Sequence, residues 1–176
     1  RFAPLRYLTR TFVWIIRGTP LMLQVMVVFF GPGLLFEWRA LPRLTAVLIA
    51  FIINYACYFS EIYRGGIESI PAGQYEAAEV LGYSKVQTFF KIILPQALPH
   101  VLPAYKGEIV GLIKATAIVG YIAVQDLTKM GDIIRGNTYE AFFPLIAVAV
   151  IYFAITWIIA RLLGVLKRKT EPKLRK

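Results

Sequence analysis

The chain has 176 residues, 58% of them hydrophobic and only 17% charged, with a mean hydropathy of +0.62, so too little polar surface is available to coat a water-soluble domain of this size. The apolar residues gather in runs, as they do in membrane proteins. The net charge of +10 does not point to nucleic acid, because the bases fall at the ends of those runs without interleaved aromatics on a soluble scaffold; the membrane surface suits them better.

Residues 1–19 set Arg1, Arg6, Arg10 and Arg17 among Phe2, Leu5, Leu8, Phe12, Ile15 and Ile16. This is the pattern of a basic amphipathic segment entering the bilayer from the cytoplasmic side. Residues 21–36 carry no charge, and Gln24 is their one strongly polar side chain. Extended backward, they predict a span near 12–36, which Gly31-Pro32-Gly33 is expected to break near the far interface. A short polar loop follows, and then the apolar run 44–60. With Glu61-Ile62-Tyr63 appended, that run gives a second span, 44–63. It contains Cys57, whose being the single cysteine excludes an intrachain disulfide.

Residues 74–95, QYEAAEVLGYSKVQTFFKIILP, are too polar to cross a membrane yet lie between segments that can. A first helix is expected over 74–81, ended by Gly82 as a left-handed residue. Ser84 and Gln87 have capping-box spacing, and Val86, Phe89, Phe90 and Ile93 form an apolar stripe at i, i+3, i+4 and i+7. Pro95 should end the second helix, since it lacks an N–H and disfavours helical angles in the residue before it.

Beyond it, 97–103 holds two prolines and His100 and reads as a broken interfacial stretch. The next span, 104–122, is the least apolar, with Lys106, Glu108, Lys114 and Thr116. Residues 123–141 are polar and are expected outside, and 142–165 is the clearest span, followed by six bases. If the N-terminal arm, the 74–95 elbow and the tail are cytoplasmic, fifteen bases flank the inner face: Arg1, Arg6, Arg10, Arg17, Arg64, Lys85, Lys91, Lys106, Arg161, Lys167, Arg168, Lys169, Lys173, Arg175 and Lys176. Four face outward, Arg39, Arg43, Lys129 and Arg135, so positive-inside bias supports four spans with both ends inside.

Polar groups that are costly in hydrocarbon are candidates to line a path: Asn54, Glu61, Lys114 and Thr116. Glu61 has an alternative in a salt bridge to Arg64 at i+3. No phosphate loop, nucleophile elbow or metal cluster is legible, so no catalytic or metal site is expected. The chain is not expected to bind ATP alone; energy must come from a partner or an ion gradient.

Glu76-Ala77-Ala78, then three residues, Gly82, nine residues, Ile92, one residue and Leu94-Pro95 resembles, without a gap, the EAA loop of type I ABC importer membrane subunits. Arg17-Gly18-Thr19-Pro20, Glu61-Ile62-Tyr63-Arg64-Gly65-Gly66-Ile67 and Ser69-Ile70-Pro71-Ala72-Gly73 resemble the polar amino-acid uptake branch of that family, and the likeness runs over about 11–168. The resemblance implies an all-α, polytopic transmembrane domain over 1–176 with a cytoplasmic coupling-helix elbow, preceded in family members by one more spanning helix. It further implies a permease subunit of an importer for polar amino acids in the bacterial plasma membrane. A second permease, identical or not, would complete the path. Two ATPase subunits, which bind the ATP and Mg, would dock on the elbows, and an extracytoplasmic binding protein would deliver substrate. Glu76, Ala77, Ala78, Gly82, Ile92, Leu94 and Pro95 would couple to the ATPase: small residues permit close approach, and Glu76 and Glu79 offer charge. Lys114-Ala115-Thr116 is similar to a short family motif, but many relatives have Asp where this chain has Ala115. The competing reading is a secondary transporter or channel for small polar solutes.

Overall fold

The computed structural model describes residues 3–37, 39 and 41–170, with side chains as far as residue 165. Eight α-helices account for most of it: α1 (Ala3–Gly18), α2 (Leu21–Phe36), α3 (Arg43–Glu68), α4 (Ala72–Val80), α5 (Lys85–Thr88), α6 (Leu94–Ala115), α7 (Leu127–Thr138) and α8 (Phe142–Thr170). A π-helical turn, Phe89–Ile93, joins α5 to α6, and a 3-10 segment, Thr116–Ile122, extends α6. By length and composition α3 and Phe142–Val165 can each cross a membrane, and up to four crossings are possible if the bent pairs of helices are counted as one each. Only 6% of the residues in the apolar window of Phe142–Val165 are buried, against 39% in α3.

Contacts divide the chain into two units: residues to Tyr58 with Leu112–Thr156, and Phe59–Gly111 with the chain from Trp157 onward. In the first, the expected 12–36 segment is two helices meeting at 108°. The turn is made by Gly18-Thr19-Pro20. Pro20 holds the extended backbone that starts α2, and the Thr19 hydroxyl donates to the Ile15 carbonyl at 3.0 Å. Gln24 closes the corner: its Nε2 donates to the Ile16 carbonyl at 2.7 Å and to Thr19 Oγ1 at 2.8 Å, filling acceptors that the end of α1 leaves open. Its Oε1 accepts from Asn54 Nδ2 of α3 at 2.9 Å, so the bend is braced on the neighbouring helix. The expected break at Gly31-Pro32-Gly33 is absent. α2 runs through Pro32 to Phe36, and left-handed Glu37 closes it by donating its N–H to the Pro32 carbonyl.

In the second unit, Gly66 is buried where α3 meets α6; a Cβ there would lie 2.2 Å from Val101 Cγ2. Phe59 and Tyr63 of α3 stack about Tyr105 of α6, with Phe59 and Tyr105 centroids 4.9 Å apart. Ile70, Ile93 and Ala97 form a small core against Ile67, Phe89 and Ile92, and Pro71 then turns the chain into α4.

Pro95 does not end the second helix, and 97–103 is not broken. The helix continues through Pro95, Pro99 and Pro103 to Ala115. Two features absorb the missing donors. The π turn shifts the register, with the Leu94 N–H reaching the Phe89 carbonyl, and the prolines recur every four residues, so the bonds they remove fall on one face. Gln96 Nε2 donates to the Ile92 carbonyl at 2.9 Å on the way.

Candidate functional site

The elbow is built from two local caps. Leu81 ends α4, and Gly82 takes a φ of +77°, in the left-handed region. The Gly82 N–H then donates to the Glu79 carbonyl at 2.9 Å and the Tyr83 N–H to the Ala78 carbonyl at 3.0 Å, the paired bonds of a Schellman turn. Ser84 restarts the chain as expected: its Oγ accepts from the Gln87 N–H at 3.3 Å while Gln87 Oε1 accepts from the Ser84 N–H at 3.0 Å. α4 folds back on α5 and the π turn. Gln96 Nε2 donates to Gln74 Oε1 at 3.1 Å and ties the start of α4 to α6.

This geometry sorts the residues of the expected coupling set. Ala78 is fully buried, and a larger side chain would prise α4 from its support. Ile92 lies against the Ile70, Ile93 and Ala97 core, and Leu94 is half-buried beside it. Glu76 and Ala77 are exposed, as are Gly82 and Pro95. The expected apolar stripe is split: Ile93 and Phe89 turn inward, but Val86 is 67% and Phe90 61% exposed. Val80 at 88% and Leu81 at 72% are exposed too, so the elbow carries apolar side chains outward as well as Glu76 and Glu79. A groove of about 390 Å³ lies between α4 and α5, walled by Tyr75, Glu79, Tyr83, Lys85 and Phe89. Lys91 stands 5.8 Å from the Tyr83 ring and stiffens one wall.

The polar candidates along the spans separate as well. Asn54 is buried, and its amide is held by Gln24, a bracing role that spacing alone does not reveal. Glu61 faces Arg64 across one turn, and Arg64 also reaches Glu68 at 2.7 Å, so the i+3 ion pair forms. Lys114 is exposed at the end of α6. Thr116 is drawn into a cluster that sequence reasoning missed. Its Oγ1 donates to the Ile113 carbonyl at 2.7 Å and lies 3.4 Å from the Tyr152 hydroxyl of α8. Tyr152 donates to Asp126 Oδ2 at 3.4 Å and accepts from Thr128 Oγ1 at 3.5 Å. Asp126 also caps α7 through the Thr128 and Lys129 N–H groups, a helix-start signal within the polar 123–141 stretch. Gly120 leaves room for it: a Cβ there would stand 3.3 Å from Asp126 Oδ1. Beside the cluster, Asp126, Thr128, Lys129 and Asp132 face a cavity of about 270 Å³ that offers both signs of charge.

Of the bases counted for orientation, Arg1, Lys173, Arg175 and Lys176 lie outside the described residues, and Lys167, Arg168 and Lys169 are described in backbone only. Among the described residues no group of His, Cys, Asp and Glu is arranged to hold a metal ion.

The likeness to known proteins extends over nearly the whole chain. It is 34% identical over 165 residues to a putative glutamine transport system permease protein of Rickettsia bellii (strain RML369-C), covering 94% of this chain and 75% of that protein. It is 35% identical over 173 residues to the nopaline transport system permease protein of Agrobacterium fabrum (strain C58 / ATCC 33970), covering 93% and 71%. Among solved structures, a crystal structure of an amino acid ABC transporter with histidines superposes with a TM-score of 0.86 at 36% identity, covering 95% of this chain and 77% of that one. An inward-facing MetNI methionine ABC transporter shares the fold, with a TM-score of 0.79 at 19% identity and coverage of 97% and 77%. The family described as binding-protein-dependent transport system inner membrane component matches residues 1–172, and the chain belongs to it, as an all-helical permease subunit of a type I ABC importer whose ATPase is a separate chain.

Proposed function

We propose that this permease carries polar amino acids across the bacterial inner membrane as a multi-pass protein, with spans near 44–63, 104–122 and 142–165, a fourth crossing made within the bent 12–36 segment by α2, and both ends in the cytoplasm. Two copies, or this chain and a second permease, enclose the path. Two ATPase subunits bind ATP and Mg and dock on the elbows at 74–95, and an extracytoplasmic binding protein delivers the substrate. The named substrates of the relatives, glutamine and nopaline among them, support an amino-acid cargo.

The observation that carries the coupling role is the elbow itself. It is stiffened by two local caps and a tie to α6, yet it leaves Glu76, Ala77 and the apolar side chains of Val80, Leu81, Val86 and Phe90 outward. A rigid two-helix handle passes displacement on without absorbing it, as a lever between a closing motor and the spans must. Glu76 and Glu79 supply charge-assisted contacts, and Ala77 and Gly82 allow close approach to the backbone. Gly82 serves first as the turn. Ala78, Ile92 and Leu94 hold the handle on its core.

For the path, Thr116 and the Tyr152, Asp126 and Thr128 cluster replace the dispersed set. Their hydroxyls and carboxylate suit a zwitterionic solute, and Lys114 lies nearby in sequence. Closure of the ATPases draws the elbows together and opens the spans outward, and hydrolysis returns them. A secondary transporter or channel would use the same polar groups but leaves the elbow without a purpose. The test is co-purification with candidate ATPases followed by reconstitution. ATP hydrolysis stimulated by binding protein loaded with one amino acid supports the proposal; flux driven by a gradient alone, without ATPase, overturns it.

A further inference from the structure

Lys129 stands at the wall of the cavity beside the Thr116 cluster, and its charge is not used by the fold. Among the described residues the ion pairs are made by Arg64 and Arg135, and the Lys129 ammonium enters neither a pair nor a hydrogen bond. Its stem is nevertheless placed. A Cβ built on Gly120 would stand 3.6 Å from Lys129 Cβ and 3.9 Å from Lys129 Cδ, and the same point lies 3.3 Å from Asp126 Oδ1. Gly120, Asp126 and Lys129 therefore surround one small space, and all three wall the cavity of about 270 Å³ together with Ala117, Tyr121 and Asp132.

The two acids of that wall differ. Asp132 is matched by Arg135, whose Nη2 lies 3.1 Å from its Oδ1. Asp126 has no cationic partner among the described residues, but its orientation is fixed: Oδ2 accepts from the Thr128 N–H at 3.2 Å and the Tyr152 hydroxyl at 3.4 Å, and Oδ1 accepts from the Lys129 N–H at 3.0 Å. A carboxylate oxygen has two acceptor positions, so Oδ1 keeps one, on the side of Gly120. The cavity thus holds a directed acceptor and an uncommitted donor of opposite charge that do not pair with each other.

We propose that this cavity clamps the main-chain groups of an α-amino acid. The ligand's ammonium occupies the space over Gly120 and donates to Asp126 Oδ1, and its carboxylate accepts from Lys129 Nζ. The inference deepens the amino-acid transport reading above and rests on it. Both charges are required: a lone carboxylate leaves Asp126 unmatched and is repelled by it, and a lone amine meets the same fate at Lys129. Because these contacts read only groups that every α-amino acid carries, they admit the class and leave the choice of side chain to other contacts.

The test measures equilibrium binding to the permease assembled with its second permease and ATPase in lipid nanodiscs, without binding protein or ATP. L-glutamine serves as the probe, beside L-glutaminamide, which lacks the α-carboxylate, and glutaramic acid, which lacks the α-ammonium. L-glutamine should bind, and each analogue should bind about ten- to a hundredfold more weakly, as the loss of one charge-assisted hydrogen bond requires. Lys129→Gln should weaken L-glutamine by the same factor and leave L-glutaminamide unchanged, while Lys129→Arg should retain binding. Gly120→Ala fills the place of the ammonium without altering any charge and should weaken L-glutamine and L-glutaminamide alike. Since the Lys129 ammonium holds nothing within the chain, thermal unfolding of Lys129→Gln should match the wild type. Equal binding of L-glutamine and L-glutaminamide, undiminished binding in Lys129→Gln, or no binding of L-glutamine overturns the clamp. Any of these beside intact ATP-driven uptake leaves the transport reading standing, whereas the expected binding pattern without ATP-driven uptake of any amino acid supports the clamp and overturns that reading.

Discussion

Replacing Gly82 separates a turn from a contact. Gly82 has a φ of +77°, and a Cβ built on it meets no atom within 4 Å, so space within the chain is not what requires glycine. A non-glycine residue in this conformation costs roughly 1–2 kcal/mol, less for Asn and more for β-branched side chains. Leaving the conformation instead would forfeit the bonds to the Glu79 and Ala78 carbonyls, at about 1 kcal/mol each. Either way the cost is confined to the elbow. Uptake at matched membrane abundance should therefore fall in the order Gly82→Asn, Gly82→Ala, Gly82→Val, in step with faster protease cleavage between α4 and α5. Thermal unfolding of the spans should be unmoved. An activity order that followed side-chain volume, with Ala better than Asn and no change in cleavage, would refute the conformational argument and leave Gly82 as a contact surface alone.

Other substitutions probe the rest of the account. Gly66→Ala puts a methyl 2.2 Å from Val101 Cγ2 and should destabilise the α3–α6 contact by about 1–3 kcal/mol; adding Val101→Ala should recover most of that in thermal unfolding in lipid, and no recovery would mean the helices meet elsewhere. Asn54→Leu strips Gln24 of its donor and should cost about 1–3 kcal/mol, read as a lower unfolding temperature, whereas Asn54→Leu with Gln24→Leu should not simply double the loss. Tyr152→Phe removes the hydroxyl shared by Thr116, Thr128 and Asp126 and should change the KM for uptake at normal abundance; an unaltered KM would exclude the cluster from the path.

The features that were legible in the sequence are those fixed within a few residues. Gly82 and the Ser84/Gln87 box are local chemistry, and both fold as their spacing demands. The Glu61–Arg64 pair is one helical turn apart and forms for the same reason. Proline's local cost does not stop these helices. At Pro95 a π turn upstream absorbs the missing bond, and at Pro32 the helix simply continues to a left-handed cap. Within long apolar helices the alternative to a strained helix is an unpaired backbone in hydrocarbon, which costs more. Neither Gln24 with Asn54, thirty residues apart, nor Thr116 with Tyr152, thirty-six apart, leaves a periodic trace, because the fold alone brings each pair together. Val86 and Phe90 belong to the apolar stripe yet are exposed, since periodicity marks an apolar face without saying what covers it.

A separate ATPase that grips the elbow from the cytoplasm should be catchable by crosslinking. Ala77 is exposed on α4 and Cys57 is the chain's one native cysteine, so Ala77→Cys in a Cys57→Ala background gives a single accessible thiol for crosslinking in membrane vesicles. A disulfide with a cysteine in the ATPase groove is expected, formed in yield that changes when ATP is added. Labelling of that thiol by an impermeant reagent from the outer face, with no crosslink to any ATPase, would contradict it.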